Sequence, residues 1–100
     1  MSDTQTIARN SAAIATPLAG RYLVQLCKHF EHKRPVTYDA ASGHIGFSAG
    51  DCRLRAEPGS LTVTVEAPDE PQLAQLQEVV ARHLLRFAFR ESLQVEWRDA

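Results

Sequence analysis

The amino-acid sequence predicts a two-layer α+β sandwich with its elements in the order β-α-β-β-β-β-α-β. Two stretches in which apolar residues recur every three or four positions flank a central region of short alternating segments. Alternation of apolar and polar residues is typical of an antiparallel sheet with one buried face and one exposed face. Two amphipathic helices can cover that buried face, so we expect both helices on the same side of the sheet.

The composition is that of one ordinary globular domain: 100 residues, 44% hydrophobic and 23% charged. We expect a disordered tail over residues 1–9, which are polar and patternless, and a single domain over residues 10–99. A net charge of −1 argues against nucleic acid or a membrane surface as a partner. The two cysteines, the absence of a secretory signal pattern and the lack of a long apolar run indicate a cytoplasmic protein.

The first strand and the first helix are predicted from residues 11–32. A short apolar run over residues 11–15 gives the strand. Thr16 can cap a helix and Pro17 suits its first position. The helix should reach about His32, because Pro35 disfavours a helical residue before it. Its buried stripe consists of Leu18, Ala19, Tyr22, Leu23, Leu26, Cys27 and Phe30.

Four short strands follow as a meander, over residues 36–39, 44–49, 52–57 and 61–67. Turn residues rich in glycine, proline and serine separate them. The last of the four alternates most regularly, with its apolar set facing the helices: Leu61, Val63, Val65 and Ala67.

The second helix is predicted from Asp69 to about Phe89. Asp69 is its expected cap, with Gln72 three residues later as in a capping box. Its buried stripe consists of Leu73, Leu76, Val80, Leu84 and Phe87. Residues 93–97 alternate again and should form a last strand at an edge of the sheet.

The stretch CKHFEHK, residues 27–33, contains a thiol and two imidazoles and raises the question of a metal site. Successive helical residues are about 100° apart, so Cys27 and His29 lie on different sides of the helix and cannot bind one ion together. His29 and His32 could supply two of the ligands of a metal site. Two ligands do not identify a metal, so the metal is left open. Cys27 belongs to the buried stripe, and we expect it to act as a small apolar residue.

His83 falls inside the buried arc of the second helix. A buried imidazole needs hydrogen-bond partners, and a structural account would satisfy it with a backbone carbonyl, Tyr22 or Tyr38. The alternative account places it in a binding site. His29 of the first helix belongs either to the solvated face of that helix or, half-buried beside the apolar stripe, to a shared pocket, since half-buried histidines titrate near neutral pH and often carry function.

Arg90 lies two turns after His83 on nearly the same line, which predicts a buried guanidinium. Its charge must then be met by a carboxylate or by a bound anion. The internal candidates are Glu91, Glu96 and Asp39.

Two blocks of sequence, RYLVQLCKHFEHK at residues 21–33 and HLLRFAFRESLQVEW at residues 83–97, resemble the bacterial family called domain of unknown function 2218. The resemblance extends from about residue 12 to residue 97. It implies a small single-domain bacterial protein with a fold of the TATA-binding-protein-like class, and no established activity. Members of that family are sometimes encoded beside siderophore-interacting ferric reductases, and some carry an aldolase label.

The leading hypothesis is a binding or accessory protein for an anionic ligand, with no cofactor and with iron associated rather than bound directly. The ligand-binding residues would come from both helix ends: His29, His32, Lys33, His83 and Arg90. This site requires two roughly parallel helices, and His29 within about 15 Å of His83.

Two alternatives come from other classes. An apolar patch at Leu85 and Phe89, opposite the buried stripe, would suit a homodimer without a small ligand, unless Phe89 folds inward beyond the helix end. An aldolase-like lyase would need a metal or a lysine of lowered pKa, and the chain has only Lys28 and Lys33. No catalytic residue is assigned, and an enzyme is the less favoured reading. Nucleic-acid binding through the arginines of the sheet's outer face is weaker still, because stacking aromatic residues are missing there.

Overall fold

The computed structural model describes residues 7–100 and contains two helices and six strands. In chain order they are β1 (Ala8–Ala15), α1 (Ala19–Phe30), β2 (Val36–Tyr38), β3 (Ser42–Gly46), β4 (Asp51–Glu57), β5 (Ser60–Ala67), α2 (Glu70–Phe87) and β6 (Arg98–Asp99). This order confirms the predicted one. Among the described residues, no helix is long and apolar enough to cross a bilayer.

The six strands form one sheet in the order β2-β3-β4-β5-β1-β6, and every neighbouring pair is antiparallel. Side chains alternate along β4 and β5 as predicted, so that one face of the sheet is buried under the helices and the other is uncovered. Helix α1 lies mainly over β2, β3 and β4, and α2 lies over β5 and β1. The predicted two-layer sandwich is therefore confirmed.

The two helices run in opposite directions across the sheet. Phe30, at the end of α1, lies beside His83 of α2, whereas Tyr22 in the first half of α1 lies beside Glu91, just after α2. As the chain advances along α1, the residues that it contacts thus lie progressively earlier in the sequence of α2 and the segment after it. The helices also differ in length, with 12 residues in α1 and 18 in α2, or about 18 Å and 27 Å.

The predicted cap of α1 at Thr16 is wrong, because the helix begins at Ala19. The backbone N–H of Thr16 donates to the Gly59 carbonyl at 3.1 Å, which holds this residue against the β4–β5 turn. Its hydroxyl accepts the N–H of Leu18 at 3.1 Å and so forms a turn ahead of the helix. The helix ends at Phe30 rather than His32.

The predicted cap of α2 is confirmed, since the Asp69 carboxylate accepts the backbone N–H of Gln72 at 2.9 Å. The Gln72 side chain returns to the same carboxylate at 3.2 Å, instead of binding the cap backbone as in a full capping box. The helix ends at Phe87, so Phe89 and Arg90 lie outside it.

The two ends of the chain differ from the prediction in detail. Residues 93–97 are not part of the sheet; only Arg98 and Asp99 pair with β1, opposite Ser11 and Asn10. Leu93, Val95 and Trp97 still alternate inward and pack against the core, so this segment adds apolar contacts rather than ladder hydrogen bonds. Strand β1 begins at Ala8, two residues before the expected domain start, and residues 1–6 of the predicted tail lie outside the described residues.

Helix α1 lies very close to the sheet at Gly43 of β3. A Cβ atom on Gly43 would lie only 2.8 Å from Sγ of Cys27, so this position has no room for a side chain. Both cysteines are free and buried, as expected of small apolar residues, and burial raises the pKa of the Cys27 thiol to about 11. The contact between the Cys27 thiol and Gly43 thus sets the distance between α1 and β3.

Replacing Gly43 with alanine should destabilise the protein by about 1–3 kcal/mol, because the added methyl group forces α1 away from the sheet. The matched control is Gly46→Ala on the same strand, where the nearest atoms to the new Cβ lie 3.7 Å away. That variant should stay within about 0.5 kcal/mol of the wild type. Urea unfolding measures both changes, and equal stabilities for the two variants would contradict the close approach.

Candidate functional site

The centre of the candidate site is a pair of imidazoles where α1 meets α2. The rings of His29, in the last turn of α1, and His83, in α2, have centroids 4.8 Å apart at an interplanar angle of 48°. Phe30 and Phe87 flank the pair with their rings. The two histidines are thus well inside the 15 Å limit expected for a common site.

The pair forms for a reason other than the predicted one. We expected parallel helices, and the helices are antiparallel. They meet because the end of α1 lies beside His83, in the last third of α2, and not beside the start of α2. A helical wheel gives the face on which a residue lies, but not the height at which two helices cross.

His83 is half-buried and its Nδ1 atom lies 2.7 Å from the Val79 carbonyl oxygen, one turn earlier. A carbonyl can only accept, so Nδ1 carries the proton and donates. This bond satisfies the structural account with a backbone carbonyl, rather than with Tyr22 or Tyr38. In the neutral ring, this bond leaves the lone pair on Nε2.

His29 is exposed at its edge, yet its pKa is lowered from the ordinary value of 6.5. The largest cause is desolvation against the neighbouring rings, and His83, Lys33, Arg86 and His32 then disfavour the imidazolium by charge repulsion. All four of these groups are basic. The structure therefore brings the predicted residues His29, His32, Lys33 and His83 into one electrostatic neighbourhood.

Arg86 is a member of this neighbourhood that the sequence analysis missed. It lies one turn after His83, on the side of α2 that faces solvent. The available signal was its i+3 spacing from His83, which places both side chains on adjacent turns. We call the group formed by His29, His32, Lys33, His83 and Arg86 the helix-junction cluster.

Arg90 does not join the helix-junction cluster, and its predicted burial is wrong. Because α2 ends at Phe87, the helical line that would have buried Arg90 does not reach it. Its side chain is exposed, with the guanidinium carbon 5.4 Å from the centre of the Phe89 ring. Within residues 7–100, no carboxylate oxygen lies within 4.0 Å of this guanidinium.

Arg90 instead lines a separate cleft of 350 Å³ near the start of α1, together with Leu18, Arg21 and Tyr22. The antiparallel helices explain this position, since the end of α2 lies beside the beginning of α1. Of the five predicted ligand-binding residues, four thus lie near one another and the fifth lies at the other end of the helix pair.

Glu91, considered only as a partner for Arg90, has a structural role that the sequence did not reveal. Its carboxylate accepts hydrogen bonds from the hydroxyls of Tyr22 and Thr16, with Thr16 at 3.0 Å. The bond to Glu91 is the main cause that raises the pKa of Tyr22, followed by burial. These hydrogen bonds, here called the Glu91 network, connect the segment after α2 to Thr16 before α1 and to Tyr22 within it.

Three other predicted features have defined positions. Leu85 and Phe89 are both exposed, 42% and 75% respectively, so Phe89 does not fold inward. Lys28 and Lys33 are also exposed, unlike the desolvated lysines of aldolases. Across residues 7–100 there is no group of three or more His, Cys, Asp or Glu side chains that could hold a metal ion.

The architecture and the two blocks at residues 21–33 and 83–97 define a class of small two-layer α+β domains. The chain belongs to the bacterial family DUF2218, described as "uncharacterized protein conserved in bacteria", whose profile matches residues 11–98. It is similar to the protein in the NMR structure of PA4090 from Pseudomonas aeruginosa, with 40% sequence identity and a TM-score of 0.77. That match covers 91% of this chain and 95% of the other. No functionally curated protein matches the chain.

Removal of the Tyr22 hydroxyl by Tyr22→Phe should lower the free energy of unfolding by about 1–3 kcal/mol, because the Glu91 carboxylate loses a buried donor. Tyr38→Phe is the matched control, since the described part of the chain provides no hydrogen-bond partner for the Tyr38 hydroxyl. It should change stability by less than about 0.5 kcal/mol. Thermal and urea unfolding measure both changes. A Tyr22→Phe variant as stable as Tyr38→Phe would show that the Glu91 network does not stabilise the protein.

Proposed function

We propose that the protein is a small cytoplasmic binding or accessory protein whose helix-junction cluster binds an anionic ligand. The observation that carries the proposal is the lowered pKa of His29, to which four basic groups and no acidic group contribute by charge. An anion bound beside Lys33 and Arg86 would offset the positive charge of these two side chains.

The chemistry of the cluster favours oxygen anions such as a carboxylate, a phosphate or a catecholate. The Arg86 guanidinium and the Lys33 ammonium can both form charge-assisted hydrogen bonds to such groups. The Phe30 and Phe87 rings beside the imidazoles provide an apolar wall, which strengthens these bonds by excluding water. An anion bound here would stabilise the imidazolium of His29 and raise its pKa.

The link to iron and siderophore metabolism is the finer part of the proposal and rests on the family resemblance. Catecholate and citrate are anionic oxygen chelators, so the ligand would hold the iron and the protein would hold the ligand. This arrangement needs no protein ligand to the metal. Arg90 is not included, because it lies in the separate cleft near the start of α1.

Citrate, phosphate and a catecholate should each be tested as ligands of the wild type, Arg86→Ala and Arg82→Ala. At 100 times its dissociation constant, a ligand should add about 2.7 kcal/mol to the stability of the wild type, seen as a rise in Tm. Arg86→Ala should lose most of this rise. Arg82 is a matched control: it is also an exposed arginine of α2, but it lies 4.0 Å from Glu78 and does not contribute to the shift at His29.

The His29 imidazole provides a second measurement in the same experiment, by NMR titration. Because folding lowers its pKa, the neutral form contributes to stability above about pH 6.5 and that contribution is lost as the pH falls through the folded pKa. A bound anion should raise the His29 pKa in the wild type and not in His83→Gln. A pKa of His29 that is unchanged by all three ligands would contradict the proposal.

The second candidate function is that of a homodimer with a structural or regulatory role. It is favoured by the exposure of Phe89 beside Leu85, since large apolar side chains exposed together often mark an interface.

If this candidate is correct, sedimentation should show a dimer for the wild type and a monomer for Phe89→Asp, because a charge in an apolar interface is strongly unfavourable. The matched control is Arg82→Asp, on the same helix and outside the patch, which should remain dimeric. A wild type that is monomeric at every accessible concentration would remove the candidate.

A further inference from the structure

Six polar side chains from three neighbouring strands form a regular array on the uncovered face of the sheet, opposite the helices. Arg53 pairs across β4 with a residue of β3 on one side and of β5 on the other, and Arg55 does the same two residues later. We call the array the outer grid: Ser42, His44, Arg53, Arg55, Thr62 and Thr64.

The outer grid lines a shallow groove of 610 Å³, a volume typical of small-molecule sites. The two arginines form its middle column, and side chains that can donate hydrogen bonds form the columns on either side. Thr64 flanks Arg53 and Thr62 flanks Arg55 from β5. Each guanidinium is therefore next to a hydroxyl that could bind the same anionic group.

The carboxylates around the groove are already bound by other groups. Asp51 lies 2.9 Å from Nε2 of His44, and Glu66 lies 2.7 Å from the Arg9 guanidinium. Asp39 accepts two backbone N–H groups of the β2–β3 turn at 2.8 Å. None of these three carboxylates lies within 4.0 Å of the Arg53 or Arg55 guanidinium.

The two arginines of the middle column therefore lack a close carboxylate partner. No carboxylate oxygen of residues 7–100 lies within 4.0 Å of Arg53. The contact of Arg55 with Glu57, at 3.9 Å between exposed groups, adds little. Two guanidinium groups on one side of a strand, about 7 Å apart at the backbone, repel each other unless an anion lies between or over them.

We propose that the outer grid is a binding site for a small molecule with two phosphate groups, one held by each guanidinium and its flanking threonine hydroxyl. Guanidinium binds phosphate through two parallel hydrogen bonds, and two such sites side by side select ligands with two anionic groups. The six residues of the grid include no Phe, Tyr or Trp, and Tyr38, which also lines the groove, packs against the core. The scarcity of rings on which a base could stack favours a small bisphosphate over a single nucleic-acid strand.

This inference is independent of the proposed function, because the helix-junction cluster lies in the other layer of the sandwich. Variants of one site serve as controls for the other. NMR amide shifts also separate them, since ligands of the outer grid should affect β3, β4 and β5, and ligands of the helix-junction cluster should affect the two helices.

The experiment is an NMR titration with fructose 1,6-bisphosphate at physiological ionic strength, compared with fructose 6-phosphate. We expect amide shifts in β3, β4 and β5, and binding of the bisphosphate at least about tenfold tighter than that of the monophosphate. Arg53→Gln and Arg55→Gln should each weaken it by about tenfold. Both side chains are exposed, so these variants should fold normally; Arg82→Gln should bind like the wild type.

Four results would overturn the inference. They are no shift in the strands at millimolar bisphosphate, equal affinity of Arg53→Gln and the wild type, shifts confined to the helices, and tighter binding of a single-stranded oligonucleotide than of the bisphosphate. The third would assign the anion to the helix-junction cluster alone, and the fourth would make the groove a nucleic-acid surface.

Discussion

The alternation of side chains along β4 and β5 is the constraint on which the rest of the structure depends. It assigns every second residue to a core that is completed only when both helices cover it. The remaining residues are left on a face that nothing in the described chain covers. One period-two pattern thus fixes the side on which the helices lie, the position of Cys27 over Gly43, and the set of polar groups available to solvent on the other side.

The features that depend on local spacing could be predicted from the sequence. The element order, the inward sets of the strands and the cap at Asp69 all follow from contacts within a few residues. Thr16 was misassigned because its N–H is bound by Gly59, more than forty residues away. Arg90 was misassigned because a helical wheel continues beyond the residue at which α2 ends.

The sequence predicted most of the residues that belong to the candidate site, but it did not predict how they are arranged. His29 and His83 stood out because a polar ring bordering an apolar stripe must find partners. Their proximity depends on where the helices cross, which is not present in the local pattern. Arg86 and the Glu91 network were missed for the same reason, since both acquire their roles only through residues brought close by the fold.

The edges of the sheet have a consequence for how the protein behaves in a crowded solution. One edge strand, β2, has three residues, and the other, β6, has two. The short β2 offers an incoming chain few free backbone groups, but β6 pairs with only Asn10 and Ser11 of the eight-residue β1, so the rest of that edge is paired with no other strand of the described chain. An incoming strand that extended the sheet would therefore do so along β1 rather than along β2.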